Sequence, residues 1–152
     1  MARIELTTTV MADLESVFDA CLDVDLHTRS MTGSRERAVA GVTTGRLGAR
    51  DVVTWRARHC GVPWRMTVQV TEYQRPYRFV DEQLRGPFTR WWHEHTFTPD
   101  PSDPARTIMR DAIDFTAPVG VVGVLVARLG LSGYLSQLIA RRNAFLATSL
   151  AT

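Results

Sequence analysis

A chain of 152 residues, 45% of them hydrophobic, is the size of one domain and can bury a substantial core. Its 18 basic residues are interleaved with 16 acidic ones for a formal charge of +2, which argues against a single-sign surface for steering or binding nucleic acid. The 18 are all arginines, a pattern read here as the coding bias of a GC-rich genome.

The opening segment, Met1 to Val10, holds no apolar signal core, so an unprocessed cytoplasmic protein is expected. Ile4–Val10 is short, threonine-rich and alternating, as in a strand. Asp13 is placed to cap a helix whose Leu14, Val17, Phe18, Cys21 and Leu22 form one inward stripe. Asp23-Val-Asp-Leu-His27 breaks that helix, and a second short helix is expected to run to about Met31, before Gly33. Cys21 and Cys60 fall in a helix and a strand pattern, so both are expected to be reduced, with a disulfide the second choice. No metal-type cysteine cluster is present.

From Arg35 the hydrophobic period changes to two. Arg35–Val42, Asp51–Cys60, Val62–Tyr73, Tyr77–Leu84, Phe88–Thr98 and Arg106–Thr116 read as six consecutive strands, separated by short turns and the Pro99–Pro104 loop. Such short connections predict an antiparallel meander. After Pro118, Val119 to about Leu150 reads as a helix, later amphipathic through Tyr134, Leu135, Leu138, Ile139 and Phe145. Its run Val119–Ala127 is too short to span a bilayer and is interrupted by Arg128. Burial against the sheet is expected rather than a position on a membrane surface, because six strands need a cover for one face.

The segment Phe88-Thr-Arg-Trp-Trp-His-Glu-His-Thr-Phe97 carries the strongest functional signal. As a strand it turns Trp91, His93, His95 and Phe97 to one face and Arg90, Trp92, Glu94 and Thr96 to the other. Two imidazoles on an apolar face need partners or a ligand, which suggests a pocket.

One strand, two short helices, six antiparallel strands and a long C-terminal helix is the element order of the α+β helix-grip fold. The chain resembles the START-like superfamily, with its polyketide cyclases, pathogenesis-related allergens and lipid-transfer domains, and locally the bacterial polyketide cyclase/dehydrase-like branch. The resemblance rests on Val17-Phe18-Asp19, Pro76-Tyr-Arg-Phe79 with Asp81-Glu-Gln83, and Gly86-Pro-Phe88 running into His93-Glu-His95. Asp111, Pro118-Val-Gly120 and Arg142-Asn143 complete it. It covers the whole chain as a single domain, residues 1–152. It implies a curved sheet of about seven strands around the C-terminal helix, and a hydrophobic ligand held between them. One fold hosts many activities, and a minority of members are implied to be enzymes.

If the Pro99–Pro104 loop joins its strands in simple register, His93 lies across from Asp111, Glu94 from Arg110 and His95 from Met109, while Arg90 faces Glu82 over the Gly86-Pro87 turn. That register puts opposite charges together outside and His with Asp inside, although loop length alone also permits a slip of two. The inward set is then Trp91, His93, His95, Phe97, Met109, Asp111, Ile113 and Phe115, joined by Val53, Trp55, Ala57, His59, Met66, Val68 and Val70. On the strand before, Phe79, Asp81 and Gln83 fit inward about as well as Val80, Glu82 and Leu84.

Trp55, Trp91, Phe97, Met109, Ile113 and Phe115 are the expected apolar walls, and His59, His93, His95 and Asp111 the polar handles. Three readings of His93 with Asp111 stay open. They are a self-satisfied buried pair, a grip on a ligand hydroxyl or carbonyl, and acid–base catalysis with Asp111 raising the basicity of His93. His93, His95 and Asp111 also make a two-histidine, one-carboxylate set. However, the cupin-type pattern would place a glutamate later on the same strand, where Thr96-Phe-Thr98 stands instead, so no metal and no cofactor is expected.

His27 and Arg141-Arg142-Asn143 read as surface, with an inward Asn143 the minor alternative. Outward Arg56, Arg58, Arg90 and Arg110 are expected to be neutralised by Glu72, Glu82, Glu94 and Asp114. Trp92 on that face is the one hint of a macromolecular-interaction module. The reading favoured is a non-catalytic binder of a lipid, polyketide or aromatic metabolite, with a cyclase or dehydratase using His93 and Asp111 as the alternative. The expected partner is that small molecule, with no nucleic acid and no stable membrane insertion, in a monomer or homodimer.

Overall fold

A computed structural model describes residues 1–117 and 130–151 of the chain. The period-two segments become strands β1 (Ala2–Val10), β2 (Arg37–Gly41), β3 (Val52–His59), β4 (Val62–Gln74), β5 (Arg78–Arg85), β6 (Arg90–Asp100) and β7 (Asp103–Thr116). They form one antiparallel sheet in the order β1-β7-β6-β5-β4-β3-β2, so the first strand closes onto the last. Irregularities at Ala38/Ala40 on β2, and at Thr67/Val68 and Val70/Glu72 on β4, bend its far half. At Gly41 the backbone has a φ of 72°, and an added Cβ would collide with the Val52 carbonyl oxygen, so a residue without a side chain is needed there.

Between β1 and β2 lie helices α1 (Leu14–Cys21) and α2 (Val24–Ser30), followed by a 3-10 turn at Thr32–Ser34. Asp13 caps α1 by accepting from the Ser16 amide at 3.0 Å. The segment read as a break is itself the start of α2, because Asp23 caps it by accepting from the Leu26 amide at 2.9 Å. Helix α3 (Leu131–Leu150) turns Leu131, Leu135, Ile139, Arg142, Asn143 and Leu146 inward and leaves Phe145 exposed. The expected helical cover at Val119–Ala127 lies outside the described residues. Among the described residues, no helix is long and apolar enough to cross a membrane.

Two apolar clusters make the core. In one, Phe18 meets Tyr73, Phe79 and Phe97 edge-on at ring separations of 5.3–5.5 Å, with Met109 and Leu146 packed alongside. The other gathers Phe88, Trp91, Ile113 and Phe115 against Leu131, Leu135 and Ile139. Each large side chain buried here contributes on the order of 1.5–3 kcal/mol. Along β6 the order Trp91, His93, His95, Phe97 places the two histidines between these clusters, as Asp111 is placed on β7 between Ile113 and Met109.

The expected register is displaced by two residues. Asp111 faces His95, His93 faces Ile113, Glu94 faces Ala112 and Phe97 faces Met109. The strands run further into the hairpin than the proline loop suggests, to an Asp100–Asp103 pair around Pro101-Ser102, and β7 then carries unmatched residues before Thr107. Asp100 accepts from the Ser102 amide at 2.9 Å and so fixes that tight turn. Across the preceding turn Glu82 faces Trp92 and Arg90 faces Thr116.

The outer charges are correspondingly redistributed. Arg78 pairs with both Glu72 and Glu94, Arg3 with Asp114, and Arg110 with Glu5. Among the described residues Arg56, Arg58 and Arg90 have no ion pair: Arg56 faces Arg37 and Arg65, Arg58 faces Pro63, and Arg90 faces Thr116. Trp92 is half-buried on this face.

Candidate functional site

On the inner face of the sheet, Nε2 of His93 lies 2.8 Å from Oδ1 of Asp111, and Nδ1 of His95 lies 3.2 Å from the same oxygen. The Asn143 side-chain amide of α3 donates to Oδ2 of Asp111 at 2.6 Å, and Arg142 stands 3.7 Å from Oδ1. Arg142 in turn donates to Oδ1 of Asn143 at 3.0 Å and to the Cys21 carbonyl at 3.4 Å. Asp111 is wholly buried, and its charge is tolerable only because four side chains surround it.

The other side of the histidine pair faces Asp81 on β5. Oδ2 of Asp81 lies 3.0 Å from Nε2 of His95 and 3.7 Å from Nδ1 of His93, while Oδ1 accepts from the Trp91 indole at 3.4 Å. The two imidazoles are 3.8 Å apart, and Phe79 stacks on His95 at 4.1 Å. Phe79 and Asp81 therefore take the inward alternation that the sequence left undecided, while Gln83 bonds the backbone of Phe88 across the turn.

Burial works to raise the Asp111 carboxyl, but its contacts with His93 and His95 outweigh this and hold it well below the usual carboxylate range. Burial likewise opposes ionisation of Asp81, and the charge of His93 with the hydrogen bond from His95 brings it below its ordinary value. For His95, burial disfavours the cation, yet the flanking carboxylates Asp111 and Asp81 raise it above the usual imidazole value. Burial and the neighbouring His95 lower His93. Of the two rings, His95 therefore holds a proton more readily than His93.

A cavity of about 150 Å³ opens between this wall, α3 and α2. Of the ten residues expected at the site, Trp55, His59, Trp91, His93 and His95 line it. Phe97, Met109, Ile113 and Phe115 are packed in the core clusters instead, and Asp111 sits behind the histidines. Trp64, Met66, Leu135 and Leu138 supply further apolar wall. His59 bonds the Tyr134 hydroxyl through Nδ1 at 2.7 Å, and burial lowers its basicity. His27, read as surface, also lines the cavity. It bonds Glu36 at 2.7 Å and packs on Trp55 at 4.3 Å.

Arg142 was expected on the surface and is 4% exposed, and Asn143, for which an inward position was the minor alternative, is 1% exposed. A signal for Arg142 did exist. Leu131, Leu135, Ile139 and Leu146 form an inward stripe whose missing position is 142. A buried arginine there answers the buried carboxylate on the opposite layer.

An apolar cavity with a buried, charge-paired pole, enclosed by a seven-stranded sheet and a C-terminal helix, defines a helix-grip domain of START-like architecture. Residues 1–147 match the family described as polyketide cyclase/dehydrase and lipid transport, and the chain belongs to that family. No curated protein matches the chain. Among solved structures, it is similar to the ZhuI aromatase/cyclase from Streptomyces sp. R1128, with 15% identity, 98% of this chain and 93% of that one covered, and a TM-score of 0.77. A START superfamily protein from Mycobacterium smegmatis shows 16% identity, 97% and 98% coverage, and a TM-score of 0.73. The major latex-like protein 151 of Panax ginseng shows 9% identity, 99% and 98% coverage, and a TM-score of 0.66. At these identities the likeness is one of fold.

Proposed function

We propose that the chain binds a small hydrophobic molecule, a lipid, polyketide or aromatic metabolite, in the cavity between sheet and α3. The observation that carries this reading is the wall itself. Trp55, Trp64, Met66, Trp91, Leu135 and Leu138 offer apolar surface, while polar groups are gathered at the His93–His95–Asp81 pole and at His59–Tyr134. Such a cavity gains affinity from its walls and orientation from the few polar groups. The family's lipid-transport and cyclase descriptions both agree with a ligand of this kind. Titration with fatty acids and polycyclic phenols tests it. Stoichiometric uptake is expected from at least one class, and a folded protein that takes up neither contradicts it.

A second reading, cyclisation or dehydration of a polyketide-like substrate, is favoured by one specific contact. With Nε2 of His93 tied to Asp111 at 2.8 Å, its Nδ1 stands on the Asp81 side, where it can take a proton from a bound ligand while Asp111 orients the ring. His93→Ala separates the readings. A binder changes affinity only, whereas an enzyme loses turnover by roughly 10²- to 10⁴-fold at unchanged fold.

A further inference from the structure

Holding an apolar molecule does not require two imidazoles and a carboxylate to converge on one point of the wall, yet they do. Asp81 on β5 faces His93 on β6 directly, and His95 follows on the same face. One donor atom from each of Asp81, His93 and His95 lies within 4.8 Å of the other two. Oδ2 of Asp81 is 3.0 Å from Nε2 of His95 and 3.7 Å from Nδ1 of His93. Bonds of about 2.0–2.1 Å at tetrahedral angles set neighbouring donors about 3.3 Å apart. The two separations from Asp81 bracket that value, while the histidine donors lie within 4.8 Å of each other, so a shared ion would draw the two rings together.

The far edges of the same rings make a second, independent observation. One buried oxygen, Oδ1 of Asp111, is hydrogen-bonded to Nε2 of His93 at 2.8 Å, and Nδ1 of His95 lies 3.2 Å from it without the geometry of a hydrogen bond. Asn143 holds that carboxylate through its other oxygen, at 2.6 Å. Metal-ligating histidines are oriented as His93 is, with an outer carboxylate fixing the tautomer and leaving the other nitrogen's lone pair for the ion. Asp81, His93 and His95 line the cavity, and Asp111 is sealed behind them. Any remaining coordination positions would open into the cavity, where a ligand oxygen or water could fill them.

We propose that Asp81, His93 and His95 form a two-histidine, one-carboxylate site for a divalent first-row transition metal on the cavity wall, with Asp111 orienting His93. The nitrogen-rich donor set suits Zn²⁺, Fe²⁺ or Co²⁺ and is poor for Mg²⁺ or Ca²⁺, which take oxygen ligands. Sequence spacing alone offered Asp111 as the carboxylate ligand and no metal was expected. The register on β7 moves Asp111 behind the rings, and β5 supplies Asp81 in its place. The site is independent of which apolar molecule the cavity takes.

Chelator-stripped protein titrated with Co²⁺, followed by calorimetry and visible absorption, tests the proposal. One Co²⁺ per chain is expected, with ligand-field bands that stoichiometric Zn²⁺ abolishes. Asp111→Asn is expected to weaken binding roughly 10- to 100-fold. Asp81→Asn and His95→Gln are expected to weaken it further, because each removes a ligand rather than an orienting group. Asp81 is the least buried of the three, with 19% of its side chain exposed, so Asp81→Asn serves as the variant that keeps its circular dichroism. Failure of folded wild-type protein to take up stoichiometric Co²⁺ overturns the site. Undiminished binding in Asp81→Asn would also overturn it, by placing the metal elsewhere.

Discussion

His93 and Asp111 are hydrogen-bonded at 2.8 Å although they are not cross-strand partners, since Asp111 faces His95. The contact is diagonal, within the reach that long side chains have across neighbouring strands. One carboxylate consequently serves two imidazoles that follow each other on a single strand face. This ties β6 to β7 inside the core and, through Asn143 and Arg142, ties both strands to α3.

Removing that carboxylate should be costly. Asp111→Ala leaves His93 and Asn143 without their acceptor and His95 and Arg142 without the charge beside them, and the loss of one partner from a buried charged network costs about 3–5 kcal/mol. Urea denaturation should show a loss of this size. A loss below about 1 kcal/mol would mean that water or rearranged side chains replace the carboxylate with little penalty.

Cavity volume should limit ligand uptake. Leu138 lines the cavity from α3 and is partly buried. Leu138→Trp is expected to reduce uptake of a hydrophobic probe by at least about tenfold, equivalent to about 1.4 kcal/mol, while the thermal transition stays within a few degrees. Undiminished uptake by the variant would place the bound probe elsewhere.

The two thiols should differ sharply in reactivity. Burial pushes Cys21 up to about 11, whereas Cys60 is exposed in the β3–β4 turn. At pH 8 a disulfide reagent should modify one thiol quickly and the second only on unfolding. Rapid modification of both in native protein would contradict the packing of Cys21 beneath Arg142.

Acid should selectively remove the contribution of Asp19. Its carboxylate accepts two hydrogen bonds from the Arg75 guanidinium at 2.9 Å, which lowers its pKa despite burial. A folded pKa below the unfolded value of about 3.9 means that this stabilisation is full above that pH and lost as pH falls through the folded value. Asp19→Asn should therefore cost on the order of 1 kcal/mol near neutrality, with the gap from wild type closing in acid. A gap that is constant with pH would assign the cost to packing.

Much of the architecture was legible because period two and period 3.6 are direct imprints of strand and helix burial. The Trp91–Phe97 alternation, the Asp13 cap and the inward set on β3 and β4 all follow from it. Register was less accessible. A two-residue slip keeps every side chain on its face, so hydrophobic pattern cannot detect it, and the Asp100–Ser102 turn decided it. The same slip separated outer charge pairs that the sequence matched. On β5, Asp81 was ambiguous because Phe79-Asp81-Gln83 and Val80-Glu82-Leu84 each mix apolar residues with one acid, and only the neighbouring histidines resolve the choice. Arg142 occupied a stripe position where charge suggested solvent, and its partner sits in a distant strand. Phe97, Met109, Ile113 and Phe115 face inward as expected but are covered by other core side chains, a matter of depth that alternation does not encode.

Native mass spectrometry of the protein purified from its own host, followed by denaturation and identification of what is released, tests the ligand-binding account most directly. The account predicts one hydrophobic molecule per chain in wild type and its loss in Leu138→Trp. A wild-type protein of bare chain mass that also fails to take up added lipids and polycyclic phenols would contradict it.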